Sequence, residues 1–179
     1  MNNMIRSTWL RAILLFALLL SAANCGNESE VIIQELDCPA LEGFVGGQYF
    51  FTVDVNEIVD GCANGFFIGL IDPGPYGPVT LPALADLPQD ITMTLPFVGD
   101  VTGRLSVSGG AIRLGVEDPI ELVGIDTPFG TANVTASVAG TLCPISAARV
   151  DAVFTVRVAD INPPLIATPC TVGVPGTLQ

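Results

Sequence analysis

The chain has 179 residues, of which half are hydrophobic, 18 are acidic, six are basic and none is histidine. All six basic residues are arginines, so the absence of histidine and lysine excludes Ser-His-Asp and Cys-His nucleophile systems, imidazole metal sites and Schiff-base chemistry. The acidic charge disfavours nucleic acid as a partner. The hydrophobic content is too high for a disordered acidic tail.

Residues 1–24 have the layout of a signal peptide. Arg6 and Arg11 precede an apolar run at 12–20, which is followed by small residues. The apolar stretch is about twelve residues long, whereas a membrane-spanning helix needs about 20. We therefore expect the segment to be removed after export. Ordinary signal peptidase would cleave after Ala23.

Residues 20–26, with the sequence Leu-Ser-Ala-Ala-Asn-Cys-Gly, resemble the lipobox of bacterial lipoproteins. The leucine, the two alanines and the Cys-Gly pair fit this motif, and Asn24 departs from it. The resemblance implies that Cys25 becomes the lipid-bearing first residue and joins the protein to the membrane, with residues 25–30 as a tether. The residue after Cys25 is not aspartate, which in this family favours the outer membrane. Without the lipid, the protein would be secreted or periplasmic.

The number of cysteines helps to decide between cleavage after Ala23 and lipidation of Cys25. Cysteines occur at positions 25, 38, 62, 143 and 170. Cleavage after Ala23 would leave an odd number of cysteines in an oxidising compartment, whereas lipidation of Cys25 leaves four that can all pair. We therefore expect disulfides among Cys38, Cys62, Cys143 and Cys170.

Residues 31–179 are long enough for a single domain with a hydrophobic core. The first candidate strand is 31–36. The second, 48–59, alternates apolar and polar residues with the period of two that is typical of a half-buried strand. The apolar run 66–71 predicts a strand covered on both faces. Residues 72–78, with three prolines and two glycines, predict an irregular loop.

The second half of the chain predicts a meander. A helical turn is expected at 82–87, and from Asp90 onward alternating segments are separated by turn residues, with a hairpin turn at Gly109-Gly110. The clearest strand is 149–160. No long helix is predicted in the mature part, and we count nine to eleven short strands. The fold is therefore predicted to be all-β, an antiparallel β-sandwich or barrel.

The pairing of the cysteines is less constrained. A hairpin of the last two strands would place Cys170 close to Cys143, so we favour a Cys143–Cys170 disulfide. Cys38 with Cys62 then follows by exclusion. A straight strand at 48–59 would span roughly 40 Å, whereas bridged Cα atoms lie within about 7 Å. Either this strand bends, or Cys38 pairs elsewhere.

Carboxylates are the remaining candidates for chemistry. A glycosidase-like pair would come from the densest acidic group, Glu117, Asp118, Glu121 and Asp126. Residues 54–61 are similar to a calcium loop, but Ile58 stands where that loop has an oxygen ligand. A calcium site could also be built from Glu117, Asp118 and Asp126. Solvated turns are the simpler interpretation, so we expect no catalytic residue, no metal and no cofactor.

These patterns predict an exported envelope lipoprotein, anchored through Cys25, whose β domain is a non-catalytic binding or structural module at the cell surface. Its partner would be a surface protein or a glycan. The alternative is a carrier that holds an apolar small ligand in the cavity of a closed barrel. A carboxylate-based hydrolase is a third hypothesis.

Overall fold

The structure is a computed structural model that describes residues 36, 38–39, 44–62, 65–127 and 130–179. The chain divides into two units, Met1–Glu30 and Val31–Gln179, and all described residues belong to the second. The expected signal peptide, the expected tether and almost all of the expected first strand at 31–36 lie outside the described residues.

The described part of the chain is built from antiparallel strands, which confirms the predicted all-β fold. The ten strands are β1 (Gly47–Val53), β2 (Val59–Asp60), β3 (Tyr76–Leu81), β4 (Gln89–Leu95), β5 (Gly99–Ser108), β6 (Ala111–Gly115), β7 (Ile120–Thr127), β8 (Gly130–Ser146), β9 (Arg149–Asn162) and β10 (Cys170–Leu178). Two short 3₁₀ turns, Ile68–Leu70 and Leu84–Asp86, connect β2 to β3 and β3 to β4. The second of these lies within the helical turn expected at 82–87.

The strands form a nearly closed barrel. The hydrogen-bonded order is β3-β1-β10-β9-β8-β6-β5-β4, with β2 beside β10 and β7 beside β8. When β2 and β7 are left aside, neighbouring strands from β4 to β10 are consecutive along the chain, and β10 pairs with β1. The predicted meander is therefore present. The single gap in the described hydrogen-bonded circuit is the seam between β3 and β4.

Period-two alternation decides which side chains fill the barrel. In β9 the inward positions are all buried: Val150, Ala152, Phe154, Val156 and Val158. The same alternation in the neighbouring strands gives one continuous hydrophobic core. Burial of each large apolar side chain stabilises the fold by about 1.5–3 kcal/mol. Valine and threonine also suit strands because their branched side chains fit a pleated surface.

Two phenylalanine rings fill the middle of the barrel. Phe51 of β1 and Phe154 of β9 meet edge to face, with ring centroids 4.9 Å apart and an interplanar angle of 86°. Glycines make room for them: a Cβ on Gly140 would lie 2.8 Å from the Phe154 ring, and one on Gly176 would lie 2.7 Å from the Phe51 ring. At this level the interior is occupied by protein.

Each end of the barrel carries one disulfide. Cys38 bonds to Cys143 near the β8–β9 turn, and Cys62 bonds to Cys170 at the start of β10. We call these the Cys143 end and the Cys170 end. All four cysteines predicted to form disulfides do so, but the favoured pairing of Cys143 with Cys170 is wrong.

The register of the last two strands explains the error. Cys170 lies opposite Val158, whereas Cys143 lies opposite Asp151 of the same strand. Seven residues of β9 separate these two positions, which is about 23 Å. The connection from β9 to β10 is a loop rather than a tight turn, and its length moves Cys170 to the far end of the barrel.

The strand expected at 48–59 ends earlier, at Val53. The chain turns at Asp54, whose Oδ1 accepts the N–H of Asn56 at 3.1 Å and whose carbonyl accepts the N–H of Glu57 at 3.1 Å. This local turn competes successfully with strand extension. The bend allows β2 to lie against β10 and brings Cys62 to Cys170.

Two further predictions in this region are wrong. Residues 66–71 form a turn and a 3₁₀ segment rather than a strand, because Phe67 points into the core and its N–H is held by Asp60 at 2.7 Å. The loop expected at 72–78 overlaps β3, which begins at Tyr76. β3 is an edge strand, and proline, which has no N–H to donate to a neighbouring strand, is tolerated at such an edge.

Aromatic and aliphatic side chains cover both barrel ends. At the Cys170 end, Phe67 packs against Phe97 of the β4–β5 turn with ring centroids 5.3 Å apart. At the Cys143 end, Phe44 stacks on Tyr49 at 6.3 Å, and its carbonyl accepts the N–H of Leu84. The barrel is thus packed at both ends as well as in the middle.

Candidate functional site

The acidic residues that the sequence singled out fall into two separate places. Glu117 and Asp118 lie in the connection between β6 and β7, where they line a surface cleft of about 360 Å³ with Asp90 and Arg104. Arg104 Nη1 lies 3.2 Å from Asp90 Oδ1, and both side chains are more than half exposed. An exposed pair of this kind contributes about 0–1 kcal/mol. The cleft is therefore open, polar and solvated.

Glu121 and Asp126 lie on β7, outside that cleft. Their partners on β8 are Thr135 and Thr131, four residues apart, which corresponds to about 13 Å along the strand. Asp126 Oδ1 accepts a hydrogen bond from the Thr131 hydroxyl at 3.2 Å. Glycosidase carboxylates stand about 5–9.5 Å apart, so this spacing does not suit such a pair.

In the segment 54–61, which is similar to a calcium loop, the carboxylates of Asp54 and Asp60 accept backbone hydrogen bonds. Asp54 closes the turn after β1. Asp60 accepts two backbone N–H groups, from Cys62 on Oδ1 and from Phe67 on Oδ2, each at 2.7 Å. Both oxygens of Asp60 are thus engaged within the loop. The role of this residue is to shape the chain beside the Cys62–Cys170 disulfide.

No group of three or more histidine, cysteine, aspartate or glutamate side chains in the described part of the chain could hold a metal ion. The calcium site considered for Glu117, Asp118 and Asp126 is therefore not assembled in the described structure. Two adjacent carboxylates on a turn supply too few oxygen ligands for calcium, which takes six to eight.

A second cleft lies at the seam between β3 and β4, and the sequence did not indicate it. It encloses about 370 Å³ and is lined from both strands and their connection by Pro78, Thr80, Pro82, Asp86, Gln89, Asp90, Ile91 and Thr92. The prolines lack N–H donors, which reduces the tendency of this open edge to pair with another strand. Pro78 in β3 is the signal that could have marked this edge, because proline within a sheet is tolerated in edge strands.

Among the described titratable groups, the two tyrosines have pKa values that depart from the ordinary value. Burial raises the pKa of Tyr49, whose hydroxyl donates to the carbonyl of Ala147 at 3.1 Å. The pKa of Tyr76 is raised by burial and by the nearby Asp72 carboxylate, against the lowering effect of its hydrogen bond to the Asp72 carbonyl. The Tyr49 hydroxyl links β1 to the β8–β9 turn, and the Tyr76 hydroxyl closes the segment that begins at Asp72.

The position of Cys25 lies outside the described residues. The four other cysteines bond to each other, so none of them is left to pair with it. Two disulfides are typical of an oxidising, extracytoplasmic compartment. No helix in the described ranges is long and apolar enough to span a membrane.

No protein-family model matches the chain. Neither the curated proteins nor the solved structures contain a significant match.

Proposed function

We propose that this protein is a lipid-anchored envelope protein whose barrel is a non-catalytic binding or structural module. The observation that carries the proposal is the pairing of the four downstream cysteines in two disulfides. This pairing leaves Cys25 as the odd cysteine, at the position where the lipobox-like motif calls for acylation. The residue after Cys25 is Gly26, which supports the outer membrane as the destination.

The barrel itself supports a module rather than an enzyme. The described carboxylates are spread over turns and strand ends, and those of Asp54 and Asp60 accept backbone hydrogen bonds. What remains for function is the outer surface of a rigid, disulfide-bonded scaffold, on which a surface protein or a glycan could bind.

The test is the intact mass of the mature protein from its native membrane fraction, measured with and without alkylation in the absence of reductant. We expect a mass that starts at acylated Cys25 and does not change on alkylation. A mass that starts at Asn24 and gains one alkyl group would reject the lipid anchor. The protein would then be a soluble exported protein with one free thiol.

The carrier remains the second candidate because the strands do form an eight-stranded circuit. A circuit of that size can either be filled by side chains or hold one small ligand. Phe51 and Phe154 occupy the middle of this one, which weighs against a ligand. Native mass spectrometry separates the two, since a carrier purified from its host should retain a small molecule that dissociates on unfolding.

The third hypothesis, a carboxylate-based hydrolase, is tested by substitution. Replacement of Glu117, Glu121 and Asp126 by their amides should leave any hydrolytic activity of the purified protein unchanged, because these side chains do not form a catalytic pair. Loss of an activity in this variant, with the fold retained, would revive the hypothesis.

A further inference from the structure

The neighbour of β8 in the sheet is one strand that is interrupted between β6 and β7. Both parts run antiparallel to β8: Gly115 of β6 lies opposite Ala139, and Ile120 of β7 lies opposite Ala136. The chain takes five steps from Gly115 to Ile120, whereas β8 takes only three from Ala139 to Ala136. The two extra residues leave the connection at 116–119 outside the ladder, as in an enlarged β-bulge.

This interruption leaves β7 with an unpaired edge. The ladder between β5 and β6 ends at the pair of Arg104 and Gly115, and among the described strands β7 pairs with β8 alone. The backbone groups of residues 120–123 that point away from β8 therefore have no strand partner within the described chain. Val123 is 76% exposed, so the middle of the strand is accessible to solvent. An accessible strand edge is a template for pairing with another chain.

The cleft of about 360 Å³ lies where β5 and β6 cease to pair. It is lined by residues 102–104 of β5 and by residues 115–118, together with Asp90. Residues 115–118 lead into β7, so the cleft lies at the beginning of the unpaired edge. It gives an incoming chain a concave, polar surface beside that edge.

Four carboxylates surround the edge and its approach: Glu117, Asp118, Glu121 and Asp126. They take no part in the ion pairs between described residues, which join Asp90 to Arg104 and Asp151 to Arg149. Glu121 and Asp126 are exposed on β7 itself. This edge therefore attracts lysine and arginine side chains and repels acidic ones.

The same charges disfavour a second copy of the chain as the occupant. Two β7 edges that paired with each other would bring Glu121 and Asp126 of one copy close to the same residues of the other, and like charges on neighbouring strands destabilise a sheet. The bulge at Gly124, where φ is 72°, also keeps the stretch available for pairing short. A short basic segment is the complementary occupant.

We propose that β7 docks an extended segment of a partner protein that is rich in lysine or arginine. The segment adds to residues 120–123 as one more strand, and its basic side chains lie against the four carboxylates. Main-chain hydrogen bonds hold the segment, and the charges guide it to the edge. This inference names the partner of the binding module proposed above. It rests on that module and not on the lipid anchor.

A synthetic peptide tests the proposal. The peptide has about eight residues, an ordinary strand length, and alternates arginine with valine or threonine. Calorimetric titration measures its binding to the disulfide-bonded protein purified in detergent from its host, and amide hydrogen exchange locates the peptide. We expect saturable one-to-one binding that slows exchange in residues 120–123 and weakens with added salt. Absence of binding, or protection of other strands instead, would overturn the proposal.

Two control peptides separate strand addition from attraction between charges. The first has the same sequence with methyl groups on its backbone nitrogens, so it keeps every arginine but cannot donate main-chain hydrogen bonds. The second has glutamate in place of arginine. We expect both to lose binding. Equal binding of the methylated and the plain peptide would reject strand addition, and binding of the acidic peptide would reject the role of charge.

A pair of protein variants tests the position of the site. Glu121→Gln with Asp126→Asn removes two charges from β7 and should weaken binding of the arginine peptide by roughly 2- to 30-fold. Glu57→Gln with Asp72→Asn is the matched control, because it removes two exposed carboxylates that lie outside β7 and its approach. The control should leave the affinity almost unchanged, since distant charges are screened. Equal weakening by both pairs would mean that net charge, and not β7, attracts the peptide.

Two further measurements on the same preparation separate this inference from the function on which it rests. A small molecule retained in native mass spectrometry would reject the module in favour of the carrier, whereas the peptide titration would still decide the docking site. Sedimentation of the protein without peptide tests a second copy as the occupant. A dimer whose formation slows amide exchange in β7 would overturn the basic segment.

Discussion

Gly140 of β8 lies directly opposite Phe154 of β9. A Cβ at this position would lie 2.8 Å from Cδ1 and 2.9 Å from Cε1 of the ring. Because Phe154 is fully buried and packed edge to face on Phe51, the ring has little room to move. We expect Gly140→Ala to lower the free energy of unfolding by about 1–3 kcal/mol, as measured by urea denaturation.

Gly115→Ala is the matched control. Gly115 lies on the adjacent strand β6, its backbone is outside the left-handed region, and a Cβ there would meet no atom within 4 Å. Alanine at such a site should be neutral or stabilising by up to about 1 kcal/mol, since it reduces the freedom of the unfolded chain. If both substitutions lowered the free energy of unfolding equally, the cost of Gly140→Ala would come from the loss of glycine flexibility. It would not come from a clash with the Phe154 ring.

Tyr49 gives the protein a pH-dependent stability in the alkaline range. Burial raises its pKa, whereas in the unfolded chain a tyrosine titrates near its ordinary value of about 10. Above that pH the unfolded state loses a proton that the folded state keeps. Stability should therefore be constant below about pH 9, and it should fall as the pH rises from about 10 toward the pKa of the folded state.

The composition makes this test specific, because the chain has two tyrosines and no lysine that would titrate in the same range. Tyr49→Phe should lower stability at pH 8 by about 1 kcal/mol, through loss of the hydrogen bond to Ala147. The same variant should show a shallower alkaline decline than the parent, with the remainder due to Tyr76. Parallel urea-midpoint curves against pH for the two proteins would refute the assignment to Tyr49.

At the scale of elements, the segment from β2 to β3 depends on one carboxylate. Asp60 ends β2 and accepts the N–H groups of Cys62 and Phe67, each at 2.7 Å. It thereby sets the loop that carries Phe67 into the Cys170 end. Asp60→Ala leaves two N–H groups without this acceptor, so we expect a loss of about 1–3 kcal/mol and faster amide exchange in residues 61–71.

Asp72→Ala is the control for Asp60, because Asp72 is an exposed carboxylate at the same end of the barrel. Its removal should change the free energy of unfolding by no more than about 0.5 kcal/mol. If the two substitutions cost the same, loss of negative charge rather than loss of the backbone acceptor would explain the effect of Asp60→Ala.

Periodicity sufficed to predict the strands of the second half of the barrel, where alternation is regular and turns are marked by glycine. The hairpin at Gly109-Gly110 and the long strand β9 are examples, since each is specified by residues close in sequence. The segment 66–71 shows the opposite case. Its apolar run is consistent with a strand, and only tertiary contacts with Phe97 and Asp60 make it a turn that covers the barrel end.

The disulfide pairing and the two clefts could not be predicted from local sequence patterns, because they also depend on tertiary contacts. Cys170 reaches its position because of the length of the loop before β10, and the seam cleft exists because β3 and β4 meet without pairing. The first depends on the register of β10 against β9, and the second on how the whole circuit of strands comes together, and alternation within one strand sets neither. Residue types nevertheless excluded much of the chemistry, because catalytic systems that use histidine or lysine cannot be built from this chain.

At the scale of the whole molecule, the two disulfides cross. Cys62 lies inside the loop closed by Cys38 and Cys143, and Cys143 lies inside the loop closed by Cys62 and Cys170. Neither bridge can therefore be assigned to a separate subdomain. Each constrains most of the chain, and together they hold the two ends of one barrel.

Chain entropy alone would make the two bridges equivalent, because the closed loops span 105 and 108 residues. Their local surroundings differ. Each bridge joins one fully buried cysteine, Cys62 or Cys143, to a half-buried one. The difference is that Cys62 belongs to the core cluster beside the loop that carries Phe67. Any difference in the effect of removing each bridge should therefore come from contacts in the folded state.

We expect the double substitution Cys38→Ala with Cys143→Ala to lower the free energy of unfolding by about 3–5 kcal/mol. Cys62→Ala with Cys170→Ala should cost more, because it removes the same entropic restraint and also loosens the aromatic cover of the Cys170 end. Urea unfolding of the two variants and the parent measures both losses. Equal losses would show that the bridges act through the unfolded chain alone. A larger loss at the Cys143 end would contradict the role of Cys62 in holding Phe67.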